Sequence, residues 1–167
     1  MPLQEDLPNI QKPDRRAGIA NFMKSMKQLN ASKLAVSGME FIDKREFDAA
    51  ICDFREAQEL YQELGANDNA SNMMSMQGIC FYALGKWDEA VAVLREALEL
   101  KKDLGDKEGE ASDLLGLGEV YLRAGDRKRA EEAFAQALCL SQAHGLKDCA
   151  QKAEKGVERA KALPTSG

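Results

Sequence analysis

Few side chains in this sequence could do chemistry, and their spacing argues against most of it. His144 is the single histidine and the one side chain whose ordinary pKa suits general base work near neutrality. Cys52, Cys80, Cys139 and Cys149 are scattered with no CxxC pair. A zinc site, which needs paired ligands at short spacing, is therefore not expected. Reduced thiols acting as small buried apolar groups are the simpler reading, and they suggest a cytoplasmic address. The acidic run "GDKEGEASD" offers Asp106, Glu108, Glu110 and Asp113. It reads as acids favoured in the first turn of a helix rather than as a calcium loop. Met73, Met74 and Met76 read as adaptable packing rather than soft-metal ligands. Gly116 and Gly118 in "LLGLGEVY" do not form a dinucleotide fingerprint. No cofactor, no metal and no catalytic residue is expected.

The elements that carry these residues repeat. The stretch "GKWDEAVAVLREALEL", residues 85–100, has counterparts forty residues earlier, "REFDAAICDFREAQEL", and forty later, "GDRKRAEEAFAQALCL". Small residues recur at Gly38, Gly78 and Gly118, at Ala50, Ala90 and Ala130, and at Ala57, Ala97 and Ala137. Bulky ones recur at Phe41, Phe81 and Tyr121, and at Phe54, Leu94 and Phe134. Within each copy the apolar spacing is that of two helices. Gly85 and Gly125 end the first helix of the second and third copies, and Arg45 stands at that turn in the first. His144 takes the place held by Leu64 and Leu104, which marks it as a position-filling side chain rather than a catalyst.

This small–large–small pattern, G-x-x-[FY] followed by A-x-x-x-[FL]-x-x-A, resembles the tetratricopeptide repeat, whose usual period is about 34 residues. The period of forty resembles its longer-helix variant, as in kinesin light chains and related adaptor proteins. The resemblance covers residues 31–145. It departs where the usual proline after the second helix is missing and Gly65, Gly105 and Gly145 stand instead. The implied fold is an all-α solenoid of three helical hairpins with an N-terminal helix and a C-terminal capping helix. An extended or disordered arm spans residues 1–14, and an amphipathic helix residues 15–29. The repeats are 30–66, 67–106 and 107–146. The cap is 147–163, followed by a disordered tail, 164–167.

In such a stack the first helix of each pair lines the concave side. Counting around these helices puts Ala35, Met39 and Ile42, then Ser75, Ile79 and Tyr82, then Leu115, Glu119, Leu122 and Arg123 in the groove. This stripe is mostly apolar, and an exposed apolar surface of that size marks a binding site. Family members that grip chaperone C-termini hold the terminal carboxylate with Lys, Asn and Arg at groove positions. Ala35, Met39, Ser75 and Ile79 stand there instead, so a chaperone C-terminal carboxylate is not the expected partner.

The reading is a non-catalytic protein–protein interaction module, an adaptor, scaffold or assembly factor that takes an apolar or amphipathic peptide or helix. One alternative is a self-association module, a homodimer whose groove holds its own or a neighbour's N-terminal arm. Another is a regulatory part of a larger protein. A formal net charge of −5 argues against a nucleic-acid partner. No membrane span is expected, because the longest uncharged run, residues 69–85, is short and polar. The first residues lack a basic and an apolar region of the kind a secretory signal needs.

Overall fold

The computed structural model describes residues 15–162, which form seven helices joined by tight turns. They are α1 (Arg15–Asp43), α2 (Phe47–Glu63), α3 (Asn67–Ala83), α4 (Trp87–Leu104), α5 (Lys107–Arg123), α6 (Arg127–Ala143) and α7 (Lys147–Ala162). No strand occurs among the described residues. From α2 onward each helix and its turn occupy twenty residues, so the forty-residue period is one hairpin. The turns pass through left-handed backbone at Gly65, Gly85, Gly105, Gly125 and Gly145. The first turn does so at Arg45, with φ 62°, where a β-carbon is sterically disfavoured. At α5 and α6 the residue before the helix satisfies an orphan amide. Asp106 accepts from the Gly109 N–H (2.9 Å) and Asp126 from the Arg129 N–H (3.0 Å).

The small residues are where helices touch. A β-carbon on Gly38 would lie 2.6 Å from the Phe54 ring, one on Gly78 2.6 Å from Leu94, and one on Gly118 2.6 Å from the Phe134 ring. Each pair joins the two helices of one hairpin. The same large side chain also meets the next unit: Leu94 reaches Gly116, Phe134 abuts Gly156, and Met76 packs on the cluster that contains Phe54. A single column of the second helix thus fills the gap between two first helices. The alanine columns 50/90/130 and 57/97/137 are fully buried. Each hairpin has an apolar flank that only the next can cover, which makes stability a nearest-neighbour sum.

The two ends differ. At the C-terminus, α7 lays Ala153, Gly156 and Ala160 on α6 and α5 and turns Lys152, Glu154, Lys155 and Glu158 to water. At the N-terminus, residues 15–29 are not a separate helix. Nothing in "QLNASKL" breaks the hydrogen-bond ladder, so they continue into the first repeat as one 29-residue helix. Residues 15–30 are exposed throughout, so this segment does not pack as a cap. Because it runs straight on from the repeat, it also does not turn back into the molecule's own groove. The arm at 1–14 and the tail at 164–167 lie outside the described residues.

Candidate protein-binding groove

Curvature follows from which helices meet. Helix α5 touches both α3 and α7, whereas α2, α4 and α6 make no comparable contact with one another. The first helices therefore lie on the inside of the curve, and the ten residues expected in the groove are all on α1, α3 and α5. No comparable contact joins α1 and α3, so those two first helices approach each other less closely than α3 and α5 do.

On these inner helices Met39 is 49% and Ile79 47% exposed. Ala35 and Ile42 are half-buried beside them. Ser75 departs from expectation. It is buried, and its hydroxyl accepts from Lys101 Nζ (2.7 Å) and donates to Asp113 Oδ1 (2.8 Å). Lys101 Nζ also stands 3.0 Å from Asp113 Oδ2, as an ion pair with both side chains 3% exposed. Oδ2 accepts no hydrogen bond of its own. Burial pushes the Asp113 carboxyl above the ordinary range, opposed by the Lys101 charge and the Ser75 hydrogen bond. Asp113 is the seventh residue of α5, well past the first turn, so its role is not that of a helix-dipole acid. Its field partner is a lysine in the last turn of α4.

Tyr82, Glu119 and Arg123 are also spoken for. Arg123 Nε donates to the Tyr82 hydroxyl (3.1 Å), and the Tyr82 ring lies 5.7 Å from that of Trp87. Arg159 on α7 holds Glu119 with two hydrogen bonds of 2.6 and 3.0 Å. Leu115 and Leu122 are half-buried. A cleft of about 560 Å3 runs along α3, α5 and α7, lined by Ile79, Lys101, Asp106, Asp113, Asp148 and Lys152 among others. The polar half of the concave face is therefore a set of cross-ties between successive first helices, a feature the reading of the sequence missed. A signal for it exists in the repeat columns. Lys101 stands where Tyr61 and Ser141 stand in the other units, and Asp113 where Met73 and Ala153 stand. Lys33 holds the Asp113 column in the first repeat, so the acid appears in that column only at Asp113, opposite the one lysine of the other column.

The remaining chemistry-bearing residues are dispersed. His144 is exposed at the end of α6. Met74 is buried, and Met73 and Met76 fill the seams on either side. Of the cysteines only Cys80 is buried, its thiol pushed up to about 11 by desolvation. Cys52 and Cys139 are exposed on the outer helices and Cys149 is half-buried. The expectation of four buried thiols is thus corrected, since two of them point to solvent from the convex side. No cluster of histidine, cysteine and acids that could hold a metal occurs among the described residues. None of the described helices is long and apolar enough to cross a membrane.

Comparison with known proteins agrees with this geometry. The chain is similar in structure to the TPR domain of Arabidopsis FLU, with a TM-score of 0.66 and 20% identity, covering 70% of this chain and 98% of that one. It is also similar to BtubC (BKLC) from P. vanneervenii, with a TM-score of 0.65 and 22% identity, covering 82% of this chain and 64% of that one. At these identities the likeness speaks for the fold. No curated protein matches the sequence. The tetratricopeptide repeat model matches residues 38–103 and 72–143, which together take in the three hairpins from Gly38 to Ala143, and the chain belongs to the tetratricopeptide repeat family.

Proposed function

We propose that this chain is a non-catalytic adaptor or scaffold whose concave face takes an apolar or amphipathic peptide or helix. The observation that carries the reading is the exposure of Met39 and Ile79 on adjacent first helices, which approach each other less closely than the later ones. Two large apolar side chains left uncovered on the inner face gain most from a partner's apolar side chains, at about 25 cal/mol per Å2 removed from water. Ala35 and Ile42 form the floor beside them. The partner's far end then lies over the polar half of the groove, where Asp106, Glu108 and Asp148 on the cleft rim favour a cationic residue. Glu119, Leu122 and Arg123 hold the shape of that half, with Leu115 and Tyr82 between the two.

Affinity selection from a displayed peptide library tests the reading. The expected outcome is enrichment of sequences with apolar residues at helical spacing, lost when Met39→Glu and Ile79→Glu are combined. Both side chains are exposed, so the variant keeps its fold. Enrichment of peptides by their terminal carboxylate, or binding indifferent to these two positions, overturns it.

A further inference from the structure

The first helix carries a second uncovered surface, unrelated to the groove. Ile19, Phe22, Met23, Met26 and Leu29 are between 42% and 64% exposed. Phe22, Leu29 and Val36 follow one another at seven-residue spacing, so they share one edge of the helix. Val36, itself 59% exposed, identifies that edge. Forty, eighty and one hundred and twenty residues on stand Met76, Gly116 and Gly156, each of which packs against the second helix of the preceding unit. No described helix precedes α1, so this edge faces out of the end of the solenoid. The groove residues Ala35, Met39 and Ile42 lie on a different side of the same helix.

The charge around this stripe is one-sided. Residues 15–39 contain Arg15, Arg16, Lys24, Lys27 and Lys33 and no acid, in a chain of formal net charge −5. Lys27 leans to Glu63 at the end of α2 (2.6 Å), and Ala20, Met23 and Lys24 line a hollow with Glu63 and Leu64, so α1 passes the end of α2 before its first turns leave the bundle. A second copy placed stripe to stripe would set these cations against each other, which disfavours that occupant. An overhanging helix with an apolar side and an all-cationic charge set has the make-up of an interfacial helix. Its apolar side sinks roughly 5–10 Å below the headgroups while the cations sit among anionic phosphates.

We propose that the N-terminal half of α1 docks this protein on an anionic bilayer surface, with the helix lying in the plane and the solenoid carried in front of it. This is a peripheral contact and involves no spanning segment. It is independent of the groove reading, because the two surfaces share no residue.

The test is co-sedimentation of the full 167-residue chain with vesicles of phosphatidylcholine alone and of phosphatidylcholine with one third phosphatidylserine. Binding is expected to the second and not the first, and to fall steeply as salt is raised past the point where the Debye length is about 8 Å. Combining Phe22→Glu and Met26→Glu lowers the partition more than about tenfold. Arg15→Ala and Lys24→Ala each lower it about fivefold. Met39→Glu with Ile79→Glu leaves it unchanged. All these positions are exposed, and an unaltered thermal transition by circular dichroism confirms that each variant folds. Absence of binding to either vesicle, equal binding to both, or indifference to Phe22 and Met26 overturns the proposal. A dimer by light scattering that the Phe22 and Met26 variant converts to monomer also overturns it, in favour of a second copy as the occupant.

Discussion

On α1 and α3 the concave face exposes Met39 and Ile79, with Ile79 also on the wall of the α3–α5–α7 cleft, and α1 and α3 lack the close helix contact that α3 and α5 make. Between α3 and α7 that face is crossed by Ser75–Asp113, Tyr82–Arg123 and Glu119–Arg159, each joining successive first helices. The same repeat thus serves two ends. Where the inner helices are tied, the spacing of hairpins is held by directional polar contacts that must all be satisfied together. Where they are not, the spacing rests on side-chain packing alone, and apolar surface is left over for something else. Under the proposed function, the open end is where a partner would be taken and the tied end is where the curvature is held.

The comparison is most easily broken at Lys101 and Asp113. With both side chains 3% exposed, removing one leaves the other charged and buried, so Lys101→Ala or Asp113→Ala is expected to cost about 3–5 kcal/mol. Replacing both together by Met and Leu is expected to be neutral or stabilising by about 1–4 kcal/mol, because the desolvation of two ions is no longer needed. Urea unfolding followed by circular dichroism measures all three. A double variant as unstable as the single ones would mean that the network holds the seam by geometry rather than by avoiding an unpaired charge.

The second break concerns packing, which both halves share. A methyl group on Gly118 meets the Phe134 ring, and Gly156 closes on that ring from the next helix, so the ring has nowhere to move. Gly118→Ala is expected to cost about 1–3 kcal/mol. At Gly78 the opposing group is the tip of Leu94, and a β-carbon on Gly116 beyond it would still lie 3.4 Å from that side chain, so Gly78→Ala is expected to cost less. The difference between the two midpoints in urea is the quantity to measure.

That pairing of a glycine with a large side chain was readable in the sequence because it recurs every forty residues, and a recurrence is visible without knowing the fold. The cross-ties were harder to read because they recur nowhere. Lys101 and Asp113 form one pair in one seam, and Ser75 joins them from a third helix across a separation of 38 residues. A helical wheel drawn for α3 alone puts Ser75 on the inner stripe, but gives no account of Asp113 and Lys101, which bury it. The continuity of α1 was lost for a related reason. Its stripe at 19–29 and its core face at 31–41 point in different directions, so two faces on one helix look like two helices.

Arg45 gives a smaller effect in the untied half. Its φ of 62° costs a non-glycine residue about 1–2 kcal/mol, while glycine there costs about 0.5–1 kcal/mol more chain entropy on folding. Arg45→Gly is therefore expected to stabilise the first hairpin by up to about 1 kcal/mol. A small rise in the urea midpoint checks it.

The smallest effect is expected at the most conspicuous tie. Arg159 grips Glu119 with both terminal nitrogens, yet the two side chains are 51% and 34% exposed, and water screens most of their attraction. Glu119→Ala is expected to lower stability by less than about 1 kcal/mol, and by less again in high salt. If the tie sets the pitch rather than the stability, its loss should appear elsewhere. Amide exchange should quicken in α7, whose hold on α5 depends on it, while α1 and α2 stay unchanged. Equal protection of α7 in the wild type and Glu119→Ala would place control of the pitch in the Gly156–Phe134 contact instead. The buried packing column, and not the visible ion pair, would then be what separates the two halves of the groove.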